Sequence, residues 1–137
     1  MKKVEFIKKL VAGGASKCDM GINSLYVTTD KIDGSKVYMY IKRSDALQDP
    51  FFGLQDTILE FLESKPYLIV LLDGLNKKTY VLEKEDVDQI INSRKPNKNG
   101  SYLVHYSDLT GGVEDNELER FFEEEISIFD SLDSMYE

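Results

Sequence analysis

The clearest pattern in the chain is an unbroken apolar run, Tyr67-Leu68-Ile69-Val70-Leu71-Leu72, bounded by Pro66 and by Asp73-Gly74. A run of this length predicts a central strand covered on both faces, because a strand with one wet face alternates and a buried helix is longer. Residues 36–42 do alternate: Val37, Met39 and Ile41 face one way, and Tyr38, Tyr40 and Lys42 the other. The β-forming stretch 22–29 precedes them across the polar turn Asp30 to Ser35, which predicts a hairpin. Thr79 to Leu82 reads as the returning partner of the central strand, and 102–106 as a last strand.

Helical spacing appears four times. Residues 2–12 place Val4, Ile7, Leu10 and Val11 among lysines and end at Gly13-Gly14. Residues 54–64 align Leu54, Ile58, Phe61 and Leu62, and residues 84–92 align Val87, Ile90 and Ile91. Residues 114–134 carry the strongest helical pattern, with Leu118, Phe121, Phe122, Ile126, Ile128, Phe129 and Leu132 within about 160° on a helical wheel. Glu125 falls inside that arc and calls for a cation or an edge position. Residues 44–53 and the basic stretch 93–101 read as loops. The order helix, hairpin, helix, two strands, helix, strand, helix predicts an α+β (mixed α/β) fold, a mixed sheet with packed helices, its strand order open.

Composition bounds the class. A chain of 137 residues with 42% hydrophobic residues fits one domain with a real core. No apolar run approaches a membrane span, Lys8 and Lys9 interrupt any signal-peptide core, and the single Cys18 cannot form an internal disulfide. These features predict an intracellular, cytoplasmic protein without a membrane partner.

Charge changes the picture more. The formal net charge is −8, but residues 1–112 hold 15 acids and 16 bases, whereas residues 113–137 hold 10 acids and only Arg120. A near-neutral α/β core (1–112) therefore carries an acidic C-terminal helix (113–137) within a single domain. One reading is a helix docked by its apolar face with its acids solvated. The other makes Glu117, Glu119, Glu123, Glu124, Asp130 and Asp133 a recognition surface, because carboxylates spaced along a helix imitate phosphates or pair with an Arg/Lys-rich groove.

Catalytic candidates are sparse. The segment Tyr38-Met39-Tyr40-Ile41-Lys42-Arg43 follows a helix and a first strand preceded by Asp19. In outline this resembles the restriction-endonuclease-like PD-(D/E)xK fold, over about residues 1–82. The resemblance implies a metal-dependent nuclease, or an inactive relative, with Asp19 and Lys42 in its site. It departs where Tyr40 stands in the place of the second carboxylate, since a neutral phenol offers Mg²⁺ no anionic oxygen; Asp30 or Asp33 would have to contribute instead. His105 has no second histidine to make a zinc site with, and Cys18 reads as a small buried residue. No glycine cluster has phosphate-loop spacing, and no cofactor is expected. Tyr38 with Tyr40, and Tyr102 with Tyr106, share strand faces and suit either a core or an interface. Arg94, Lys95 and Lys98 form a basic loop suited to phosphate or to the acidic tail.

The leading expectation is a non-enzymatic interaction or inhibitor protein whose acidic helix engages a basic surface, such as that of a nucleic-acid-binding protein. In general character this resembles small acidic phage-encoded inhibitors of bacterial defence, of anti-restriction or anti-CRISPR type. The acidity argues against direct nucleic-acid binding. The nuclease relative is the alternative, and a structural, homo-oligomeric module is the third reading.

Overall fold

A computed structural model describes residues 2–18, 25–29, 34–45, 51–92, 94–115 and 117. The chain runs α1 (Lys3–Ala12), β1 (Ser16–Lys17), β2 (Leu25–Thr29), β3 (Lys36–Ser44), β4 (Phe51–Gln55), α2 (Asp56–Leu62), β5 (Tyr67–Asp73), β6 (Lys78–Leu82), α3 (Lys84–Ile91), β7 (Ser101–His105) and β8 (Val113–Glu114). The fold is α+β, as the element pattern predicts.

Six strands form one mixed sheet in the order β1-β2-β3-β5-β6-β8, and β4 pairs with β7 in a separate two-stranded sheet. The predicted hairpin is present: β2 and β3 are antiparallel, from Leu25 opposite Tyr40 to Thr29 opposite Lys36. The apolar run is β5, which pairs in parallel with β3 along its whole length, Tyr38 opposite Tyr67 through Ser44 opposite Asp73. On its other edge β5 pairs antiparallel with β6. Leu68 to Leu72 are therefore sealed by strands at both edges and by packing on both faces, at most 4% exposed. Asp73 closes the strand. Its carboxylate accepts from the backbone N–H groups of Leu75 and Asn76, each at 3.0 Å, and from the Asn76 amide at 2.8 Å. Those bonds make it a turn residue and account for its burial.

Alternation along the strands divides the core in two. Phe6 and Leu10 of α1 pack with Tyr26, Met39, Ile41, Leu68, Val70, Leu72 and Val81 on one face. On the opposite face Ile58 and Leu62 of α2, Val87 of α3, and Phe52, Leu54 and Val104 of the β4–β7 ribbon cover Leu25, Tyr40, Ile69, Leu71, Tyr80 and Leu82.

Three boundaries differ from the pattern. Residues 51–55, expected to end a loop and begin a helix, are strand β4. The sequence Phe51-Phe52-Gly53-Leu54 alternates about Gly53, burying Phe52 and Leu54 beneath the ribbon while Phe51 is exposed. The last strand ends at His105, and Tyr106 enters a 3₁₀ turn. Val113 and Glu114, expected to open the acidic helix, instead pair with Thr79 and Lys78 at the sheet edge. Of that helix only Asp115 and Glu117 follow among the described residues; Glu119, Glu123, Glu124, Asp130 and Asp133 lie outside them. Among the described residues, no helix is long and apolar enough to cross a membrane.

The doubly covered strand sets a stability expectation. Leu71→Ala removes a fully buried side chain from β5 and should cost about 3 kcal/mol by urea unfolding. The exposed Val4→Ala on α1 should cost under about 0.5 kcal/mol in the same measurement.

Candidate acidic cleft

The helices α2 and α3 lie on the same face of the sheet, and between them opens a cleft of about 320 Å³. Its carboxylates arise from simple helical spacing. Asp56, Glu60 and Glu63 stand at i, i+4 and i+7 along α2 and its end, and Lys84, Asp88 and Ile91 repeat that spacing on α3. Leu59, Val87 and Ile91 supply the apolar lining, and Tyr67 of β5 and Tyr102 of β7 contribute phenols. The N-terminus of α2 is fixed from below, where the Asp56 N–H donates to the Gly100 carbonyl at 2.8 Å. The start of α3 is fixed by a reciprocal cap in which the Glu83 N–H donates to the Asp86 carboxylate at 2.9 Å.

The cleft is electrostatically one-sided. Among its lining residues Lys84 is the one cation, and its ammonium donates to the Glu63 carbonyl at 3.2 Å. Burial pushes the Tyr67 phenol up to about 12, and the charges of Asp88, Glu85 and Glu63 push in the same direction. Tyr67 is thus a neutral donor throughout the ordinary pH range, set among groups that favour a cation.

Of the residues that the nuclease resemblance points to, Lys42 and Tyr40 are described, and neither lines the cleft. Lys42 is half-buried on β3, its ammonium 5.9 Å from the centre of the Tyr40 ring. Burial lowers its pKa, and its charge in turn helps to lower that of Lys3, which burial lowers first. Tyr40, in the carboxylate's place, is 1% exposed, and its hydroxyl accepts from the Gln55 N–H at 3.3 Å. Asp19, Asp30 and Asp33 lie outside the described residues. Among the described residues no three His, Cys, Asp or Glu side chains converge as metal ligands would.

The basic loop is more ordered than its composition suggests. The Arg94 guanidinium makes a two-pronged ion pair with Asp108, at 2.6 and 2.9 Å, and donates to the Leu103 carbonyl at 3.1 Å. The hydrogen bond from Arg94 holds the Asp108 carboxyl below its usual range. The Asn97 side chain accepts from the Asn99 and Ser101 N–H groups, closing the turn. Arg94 is thereby engaged within the fold, while Lys95 and Lys98 stay exposed. Of the tyrosine pairs, Tyr40 is core and Tyr38 packs edge-on against Phe61 of α2, at 5.7 Å between ring centres. Tyr102 faces the cleft, and Tyr106 packs near Tyr80 at 6.4 Å.

Sequence reading missed the cleft. The spacing of Asp56, Glu60 and Glu63 on one helical face was visible, but nothing local brings that face against α3. Comparison with family models, with curated proteins and with solved structures gives no match for this chain.

Two measurements check this electrostatic picture. In an ultraviolet tyrosinate titration two phenols, Tyr67 and Tyr80, should ionise late, near 12. Tyr67→Phe should remove one of them, and Asp88→Asn should bring Tyr67 down. A raised phenol pKa contributes stability below the ordinary value of 10 that is lost as pH rises towards 12. Arg94→Ala should cost about 1 kcal/mol at neutral pH, a surface-pair magnitude plus one carbonyl hydrogen bond. Because the Asp108 pKa is depressed below 3.8, the gap from wild type should close as acid titrates Asp108 through its lower folded value.

Proposed function

We propose that this chain is a non-enzymatic interaction protein that binds a basic segment of a partner protein in the cleft between α2 and α3. The observation that carries the reading is that Asp56, Glu60, Glu63 and Asp88 line one cleft together with the half-buried Tyr67 and Tyr102. Carboxylates at a rim with phenol rings beside them suit a guanidinium or ammonium, which gains ion pairs, hydrogen bonds and ring contacts together. The aliphatic lining suits the methylene stem of the same side chain. Surfaces rich in Arg and Lys are common on nucleic-acid-binding proteins, which makes these the favoured class of partner.

The acidic C-terminal segment extends this reading. Its ten acids, Glu117, Glu119, Glu123, Glu124, Asp130 and Asp133 among them, supply a long-range field that draws a basic partner toward the molecule. The cleft then supplies the short-range contact.

Binding of a fluorescein-labelled Arg-rich peptide, followed by anisotropy at low salt, tests the proposal. Glu60→Lys with Glu63→Lys should weaken binding at least tenfold, whereas Glu5→Lys on the exposed side of α1 should change it less than threefold. Reversing Glu117, Glu119, Glu123 and Glu124 to Lys should slow association more than it speeds dissociation. Equal binding by the wild type and the cleft variant would exclude the cleft as the contact.

A further inference from the structure

The outward crest of α1 combines charge and apolar surface in one row. Phe6 and Leu10 turn the buried stripe of this helix into the sheet. On roughly the opposite side stand Val4, Lys8 and Val11, spaced i, i+4 and i+7, so the three lie along one line. Val4 is 64% and Val11 50% exposed, and Lys8 is exposed between them. Single valines scattered on a surface are ordinary, but here two of them bracket an ammonium. Residues 2–12 hold Lys2, Lys3, Lys8 and Lys9 against Glu5 alone.

The cleft between α2 and α3 has the complementary chemistry. Its carboxylates stand beside an aliphatic lining of Leu59, Val87 and Ile91. An ammonium with aliphatic neighbours satisfies both, the head group pairing with carboxylates while its stem and the flanking valines cover apolar wall. A volume of about 320 Å³ admits side chains and not a whole helix, which is about 10 Å across. A row of projecting side chains is what α1 offers.

These two surfaces cannot meet within one chain. Helix α1 packs on one face of the six-stranded sheet, and α2 and α3 pack on the other. They point in opposite directions, so the contact has to be made between molecules. A symmetric pairing of α1 with α1 would instead set one lysine-flanked strip against another.

We infer that α1 of one copy docks in the α2–α3 cleft of a second copy, Lys8 entering among the carboxylates with Val4 and Val11 against the aliphatic wall. The inference rests on the reading of the cleft as a site for a basic segment, and it names that segment as the chain's own first helix. The contact is head-to-tail. Every pair retains one open helix and one open cleft, so assembly continues into a ring or a chain. A basic partner from outside then competes with a second copy for the same cleft.

Sedimentation velocity of the full chain tests this at about 0.1 M salt, where repulsion between two chains of net charge −8 is largely screened beyond about 10 Å. The wild type should associate as its concentration rises towards about 1 mM. Glu60→Lys with Glu63→Lys, and separately Val4→Ser with Lys8→Ser, should each weaken association about tenfold or more. An equimolar mixture of the two variants should recover it and stop at a pair, because one molecule keeps the helix and the other keeps the cleft. Association that persists in either variant alone, a mixture that stays monomeric, or a wild type monomeric to about 1 mM would each overturn the docking. The labelled Arg-rich peptide separates the two readings and checks folding. At concentrations where the chain is monomeric, the variant Val4→Ser with Lys8→Ser should bind it as the wild type does. Peptide binding by a wild type that does not self-associate refutes the docking and leaves the cleft reading standing; loss of both refutes both.

Discussion

The parallel pairing of β3 with β5 is the constraint on which the rest of the molecule depends. A parallel pair cannot be closed by a tight turn, so the chain must cross over between Ser44 and Tyr67. That crossover contains β4 and α2, which places both on one face of the sheet. With β6 returning along its other edge, β5 has no open side. Its apolar residues are then buried by two layers built from distant parts of the chain, α1 on one face and α2, α3 and the β4–β7 ribbon on the other.

The same layering separates charge. The lysines of α1 belong to one side of the sheet, and the carboxylates of α2 and α3 to the other. Carboxylates gathered around a cleft repel one another, and they add to the effect of burial, which is the main cause that raises the pKa of Tyr67. A fold that needed these residues only for solubility had no reason to concentrate them, since dispersed charges serve solubility equally well. The concentration supports a binding reading for that face.

Some chemistry suggested by the sequence is used by the fold itself. Lys42 sits half-buried beside Tyr40 and acts on Lys3, a pairing that raises the cost of keeping both charged. Arg94 clasps Asp108 and the Leu103 carbonyl, which turns a basic loop into a structural tie between the end of α3 and the end of β7. Asp73 caps the β5–β6 turn. For Lys42 with Lys3 and for Arg94 with Asp108 the residue type was legible and its partner was not, because the partner comes from a segment that no local spacing relates to it. The partners of Asp73 lie two and three residues further on.

What the sequence determined by itself is what periodicity and composition encode: the buried strand 67–72, the β2–β3 hairpin, helices α1 and α3, most of α2, and the division into a near-neutral body and an acidic end. These follow from the 2.0 and 3.6 repeats of side-chain direction and from counting charges. Only the tertiary structure decided that Phe51 to Gln55 form a strand, since β4 exists through its pairing with β7, some fifty residues later. It likewise decided that Val113 and Glu114 join the sheet edge, and that one face of α2 meets one face of α3 to make a cleft. Pairings of that kind depend on which surfaces the doubly covered β5 leaves to be filled, a property of the whole packed chain and not of any window along it.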